Sequence, residues 1–201
     1  GAWVAPSARV AAPVTVPVEL RVAAWTMPDP KQFVSHVGLT QSPESVAMRY
    51  HVPLWSDEHW KLLEKSFELL AQAGADDVFL TALRRTHFGN EQGMVRWVRA
   101  ADGSAKPDLG IAEKYLDLAI RHLGKVPVVC LYCWEPFTGS NYGGKVRKSQ
   151  RGMPYTIIDA ATGKVEEAEG PRWGTPEVRT FWKPVFDSLR AILKERGMAD
   201  S

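Results

Sequence analysis

Cysteine is almost absent from the 201 residues. There are two, Cys130 and Cys133, too few for a disulfide framework. Their C-x-x-C spacing invites a redox or zinc assignment, but they sit in Val126-Pro-Val-Val-Cys-Leu-Tyr-Cys-Trp134, an apolar run of strand character. Positions three apart on a strand face opposite ways, whereas a reactive pair belongs at a helix start. No second Cys or His pair stands at zinc-like spacing, so both thiols are read as structural and neither metal nor cofactor is expected. Charge of one sign is lacking too. Lys plus Arg number 25 against 23 Asp plus Glu, a net +2, which removes any general electrostatic case for nucleic acid or an anionic membrane. No apolar run approaches the ~20 residues that span a bilayer. The phosphate-binding glycine turns G-x-G-x-x-G and G-x-x-x-x-G-K-S/T do not occur.

What remains is a composition of the globular kind, 45% hydrophobic and 24% charged, with eight tryptophans. From Val14, apolar residues alternate through Val16, Val18, Leu20, Val22 and Ala24. That is strand patterning, with Pro13 and Pro17 confining its start to an edge or connector. Ser56 can cap a helix, Asp57 and Glu58 suit its first turn, and Trp60, Leu63, Phe67 and Leu70 follow at helical steps to a stop at Gly74. Asp77–Leu83 is a short apolar run suited to a buried parallel strand. A hairpin is expected over Met94–Ser104, turning at Asp102-Gly103. The next helix runs from about Asp108 to Leu123, burying Leu109, Ala112, Tyr115 or Leu116, Ala119 and Leu123, and a strand follows over 126–133. Tyr155–Ile158 and Lys164–Glu167 flank Asp159–Gly163 as a second hairpin. A last helix opens with Thr175 as cap and Pro176 at the first position, carries a stripe from Val178 to Leu193, and meets Pro184 mid-helix.

Strand and helix alternating three times describe an α/β fold with a parallel sheet and right-handed crossovers. About three βα units with hairpin insertions predict part of a (β/α)8 TIM-type barrel, residues 18–201. A closed barrel takes eight units. In such a barrel the working face lies at the C-terminal strand ends. This selects Trp25, Thr26 and Asp29 after the first strand, Arg84, Arg85, Thr86 and His87 after the second, and Tyr132, Trp134 and Glu135 after the third. Aromatic faces, guanidinium donors and a carboxylate together suit a polyhydroxylated ligand. Each has a plainer role available: the tryptophans can close the barrel end, and the arginines can pair with loop carboxylates. His87 and Glu135 can be ordinary hydrogen-bonding residues. Glycosidic hydrolysis normally uses two carboxyl groups at a set separation. The strand ends offer Glu135, with Asp29 beyond a proline turn. Asp76-Asp77 stands at the wrong end of its strand, and Glu166, Glu167 and Glu169 read as a solvated hairpin face.

Ser42-Pro-Glu-Ser-Val-Ala-Met-Arg-Tyr-His-Val-Pro-Leu-Trp-Ser-Asp-Glu-His-Trp60 resembles the segment after the first barrel strand in glycoside hydrolase family 123 and its relatives that carry domain of unknown function 4091. Met94-Val-Arg-Trp97, Asp102-Gly-Ser104 with Asp108, and Gly174-Thr-Pro-Glu-Val-Arg-Thr-Phe-Trp-Lys-Pro184 are similar to later parts of the same group, in order over about residues 18–197. Arg84–Gly93 departs from the family's version of that loop. The resemblance implies a β-sandwich followed by a catalytic barrel, with residues 1–17 as the tail of the sandwich or a linker. It also implies removal of N-acetylhexosamine-type sugars by a substrate-assisted route, in which the acetamido oxygen attacks the anomeric carbon. The family's adjacent Asp-Glu pair belongs to a later strand. The chain is therefore expected to be a fragment that is inactive alone, with no catalytic residue of its own and with Trp25, Arg85, His87, Trp134 and Glu135 as candidate sugar-binding wall. Its expected partners are a glycan and the remainder of its own barrel and sandwich. Gly1-Ala-Trp-Val does not read as a secretion signal, but family habit implies a periplasmic or extracellular parent in bacteria. A non-catalytic glycan-binding barrel and a structural α/β module are the competing readings.

Overall fold

The structure, a computed structural model, describes residues 15–86, 88–133 and 152–198. It is a mixed α/β arrangement whose first regular helix, α1 (Pro43–Tyr50), was not foreseen from periodicity. Ser42 caps it by accepting from Ser45 N at 3.3 Å, proline fills its first turn, and His51 ends it in the left-handed conformation (φ 56°). The second helix, α2 (Asp57–Gln72), begins as expected at Ser56, whose hydroxyl accepts from His59 N at 3.2 Å. Trp60, Leu63 and Phe67 are buried along it. Gly74, at φ 78°, turns the chain into β1 (Asp77–Thr81).

β1 pairs in parallel with β4 (Val128–Tyr132), from Asp77 opposite Val128 to Thr81 opposite Tyr132. Between them the chain makes the hairpin β2 (Arg96–Arg99) and β3 (Ala105–Asp108), turning through Gly103 at φ 82°, and then the helix α3 (Gly110–Leu123). α3 lies against α2, where Phe67 and Tyr115 meet edge to face at 5.0 Å. Leu63, Leu80, Leu83, Met94, Val95 and Leu116 are almost completely enclosed at this junction. Each such side chain stabilises the fold by about 1.5–3 kcal/mol relative to exposure.

The two expected hairpins are not separate insertions. β5 (Pro154–Asp159) and β6 (Val165–Glu169) form the second, and β5 runs parallel to β2, giving one four-stranded sheet in the order β3-β2-β5-β6. α4 (Glu177–Glu195) covers it with aromatic rings. Trp97 of β2 stacks on Phe181 at 4.5 Å and meets Trp182 at 5.9 Å, while Tyr155 of β5 meets Phe181 at 5.2 Å. α4 begins after Pro176, one residue later than expected, and is assigned as continuous through Pro184. Just past its end, Arg196 bonds Asp117 (2.6 Å) and Glu113 (2.9 Å) of α3, tying the aromatic-covered sheet to the helical layer.

The first of the three expected strands is a correction. Residues 15–24 carry no strand, and Val16, Val18, Leu20 and Val22 are 71–86% exposed. Alternation gives a segment the capacity to pair, but a strand exists only with a partner to bond, and none lies beside it among the described residues. Two of the three expected strands, β1 and β4, are present. Most of the 1–17 segment read as a sandwich tail lies outside the described residues, as does Trp134 just after the 126–133 strand.

Candidate functional site

The C-terminal ends of β1 and β4 meet where Ala82 N donates to Tyr132 O at 3.0 Å. The loop 82–95 leaves from this point and is built around one side chain. Asn90, 1% exposed, donates through Nδ2 to Leu83 O (2.6 Å) and Gln92 O (2.9 Å). Its Oδ1 accepts from Thr86 N at 3.1 Å and from the Thr86 hydroxyl. All four hydrogen-bonding positions of the amide are used. Gly93 then passes so close to β1 that a Cβ would lie 2.5 Å from Ala82 O, so no other residue fits there. Its N–H donates to the buried Thr156 hydroxyl at 2.9 Å, fastening the loop to β5.

Against this loop α1 places Glu44, only 6% exposed, with Oε1 buried and lacking a hydrogen-bond partner. Burial pushes its carboxyl up to about 7, with a smaller contribution from the Glu91 charge; the backbone N–H groups of Glu44 and Gln92 pull the other way. Glu44 and Glu91 border a cleft of about 480 Å³ whose remaining walls are Ala47, Met48, His51, Val52 and Leu54. Nearby, Tyr115 is raised by burial and then by the Glu44 charge, and its hydroxyl donates to Gln41 Oε1 at 3.0 Å. His59, wholly buried, holds α1 to α2: Nδ1 accepts from Trp55 N at 3.0 Å and Nε2 donates to Pro43 O at 2.9 Å. Burial lowers its pKa, so the imidazole is neutral. A carboxyl that titrates near neutrality beside an apolar cleft can hold or release a proton in the physiological range.

Of the residues proposed from the sequence, Arg85 lies at this face but is committed to Glu167 of β6 (2.9 Å), which Arg84 also approaches (3.5 Å). Both arginines therefore pair with a hairpin carboxylate, and Glu167 is not a purely solvated residue. Glu166 likewise bonds Arg99 at 2.9 Å and Lys164 at 2.7 Å. Thr86 serves Asn90, and Tyr132 meets Phe88 edge to face at 5.5 Å. Trp25 is 70% exposed in a segment without regular structure. Asp29 caps the short 3-10 turn Pro30–Gln32 through Lys31 N at 2.9 Å. His87, Trp134 and Glu135 lie outside the described residues. Cys130 and Cys133 are free, part-buried thiols, both raised by burial.

Glu44, Asn90 and His59 were missed. In sequence Glu44 is one polar residue in a stretch without a detectable helical period, and His59 is a polar position beside the Trp60 stripe. Only the packing of α1 on α2 and on loop 82–95 buries them. Among the described residues, the side chains close enough to share a cation lie elsewhere, at the start of β1.

A family model described as "Glycoside hydrolase 123, catalytic domain" matches residues 41–201. A family 123 glycoside hydrolase from Clostridium perfringens, solved in a study of glycolipid glycan hydrolysis, superposes with a TM-score of 0.61 at 19% identity. The match covers 85% of this chain and 29% of that one, so the likeness is one of fold over less than a third of the solved protein. A search of curated proteins finds no match.

Proposed function

Since the chain belongs to the glycoside hydrolase 123 catalytic-domain family over residues 41–201, we propose that it forms part of an enzyme that hydrolyses glycosidic bonds in glycans. The family match carries this reading. Three features of the fold agree with it. The strand ends of β1 and β4 open on one face, the loop 82–95 is rigidly built there, and the cleft beside Glu44 adjoins that loop.

The finer reading is substrate-assisted cleavage of N-acetylhexosamine glycosides. The acetamido oxygen attacks the anomeric carbon, so the protein supplies no nucleophile. It must still polarise the acetamide and protonate the leaving oxygen, both tasks for carboxyl groups. Thr81 and Tyr132 end β1 and β4, and Glu135, the acid expected after β4, lies outside the described residues. In this reading the catalytic pair comes from another part of the parent protein, and the present chain contributes barrel wall. Val128, at 36% exposed, and the half-covered Val129 and Leu131 agree with a β4 awaiting further barrel, because parallel strands are normally covered on both faces. The parent is taken to be exported.

An aryl N-acetylgalactosaminide assay tests this. The full gene product should release the aryl group and the 201-residue chain should not. Turnover by the chain alone would overturn the assignment of the acids elsewhere. Glycan binding without turnover by the full product would favour a non-catalytic barrel.

A further inference from the structure

The opposite end of β1 carries a second cluster that the hydrolase reading does not use. His36, Asp76 and Asp77 each present one donor atom, and the three atoms lie within 4.8 Å of one another. The loop before α1 is clasped onto the strand start at this point. His36 Nδ1 is 2.7 Å from Asp76 Oδ2, Val37 N donates to Asp76 Oδ1 at 2.8 Å, and Asp76 N donates to Val37 O at 3.2 Å. Gly38 leaves room for the neighbouring acid, because a Cβ there would stand 2.8 Å from Asp77 Oδ2.

The cluster is unbalanced in two respects. Two consecutive carboxylates face one imidazole, and Asp77 Oδ1 is buried without any hydrogen-bond partner. A buried, unsatisfied carboxylate oxygen is costly unless a cation or a donor meets it. A cleft of about 410 Å³, bordered by His36, Asp76, Phe33 and Pro30, opens beside the group and offers access from solvent. Lys31 and Lys125 also border it, and neither makes an ion pair with the two aspartates at salt-bridge distance.

We propose that His36, Asp76 and Asp77 form a binding site for Zn2+ that fastens the segment preceding α1 to the start of β1. One imidazole nitrogen with two carboxylate oxygens is a donor set zinc accepts, and a fourth position would be left to water from the cleft. Ligand atoms around tetrahedral zinc stand roughly 3.3 Å apart, given metal–ligand lengths near 2 Å, so the 2.7 Å His36–Asp76 contact has to open by about half an ångström while donor atoms up to 4.8 Å apart close by about 1.5 Å. The site lies at the N-terminal end of its strand, away from loop 82–95. In βα architectures that end serves stability and not chemistry, so the ion is structural and independent of the proposed hydrolysis.

Calorimetric titration of the 201-residue chain with Zn2+ tests the site, alongside thermal melting at rising zinc. One ion per chain should bind saturably, with a melting temperature that climbs with free zinc as mass action requires. His36→Ala and Asp77→Asn should each weaken binding on the order of 100-fold, at least what loss of an outer-sphere partner costs, and abolish the climb. Asp57→Asn, in the exposed first turn of α2, should change neither. His36 is largely exposed, so its variant folds even if the Asp77 variant is compromised. Absence of saturable binding, or binding that survives His36→Ala unchanged, overturns the proposal.

Discussion

The β1–β4 pair and the four-stranded sheet bury themselves by different means. β1 sends Val78 and Leu80 into the layer formed with α2 and α3, where aliphatic side chains fill most of the space around the Phe67–Tyr115 ring contact. The four-stranded sheet instead rests its apolar face on a stack of rings, Trp97, Tyr155, Phe181 and Trp182. Its edges are dressed with ion pairs: Arg96 with Asp108 at 2.7 Å and Arg99 with Glu166 at 2.9 Å. One region is held by many interchangeable contacts, the other by a few large ones. A single truncation should therefore damage the second region more than the first.

Trp97→Ala carries the largest expected effect. It removes the ring that contacts three others and should cost about 3–5 kcal/mol, toward the upper end because no neighbour can fill the space. Leu80→Ala, in the aliphatic layer, should cost about 2–4 kcal/mol. Chemical denaturation of both variants checks the order. A larger loss at Leu80 would reverse the comparison.

Next comes Glu44, at the seam between the two regions. Its carboxyl rises from an ordinary 4.5 to about 7 in the fold. The folded state thus holds a proton that the unfolded state has released between those values, and stability falls as pH rises through that window. The loss amounts to roughly 3 kcal/mol by pH 8. Glu44→Gln cannot ionise, so it should melt above the parent at pH 8 and converge on it near pH 5. His59, lowered by burial, slopes the opposite way in both proteins, so the difference between the two melting curves isolates Glu44. Parallel curves from pH 5 to 8 would refute its buried, raised state.

The same seam shows what was legible in the sequence. α2 could be read because Ser56, Asp57, Trp60, Leu63 and Phe67 agree on one helix, and both hairpins because Asp102-Gly103 and Asp159–Gly163 are local turn chemistry. Pairing between β2 and β5, sixty residues apart, leaves no local mark. Residues 15–24 mislead in the opposite direction, since their alternation is a local property and a partner is not. α1 was missed because eight residues with a mixed face give little period to detect. The family could be recognised from Ser42–Trp60, Met94–Trp97 and Gly174–Pro184, and the match over 41–201 agrees. The site was less accessible: Asn90 is an ordinary loop residue until Leu83 and Gln92 are brought to its amide. Asn90→Ala should therefore cost about 1–3 kcal/mol through the backbone groups it strands, and raise amide exchange across loop 82–95 more than elsewhere. Uniform exchange would remove its role as the strut of that loop.

The smallest expected effect concerns Arg85, and it separates ligand recognition from loop architecture. Arg85 and Arg84 share Glu167, but their side chains differ in exposure, 66% against 17%. An exposed pair contributes about 0–1 kcal/mol and is screened by salt, so Arg85→Ala should barely move the melting temperature. Glu167→Ala should cost more, because it also leaves the half-buried Arg84 guanidinium, whose Nε is enclosed without a hydrogen bond, with no counter-charge. If Arg85 serves the fold alone, glycan affinity of the full gene product will survive Arg85→Ala. If the guanidinium swings from Glu167 to a sugar hydroxyl, affinity will fall while melting stays put, and the four-stranded sheet will then border the ligand instead of merely buttressing the loop.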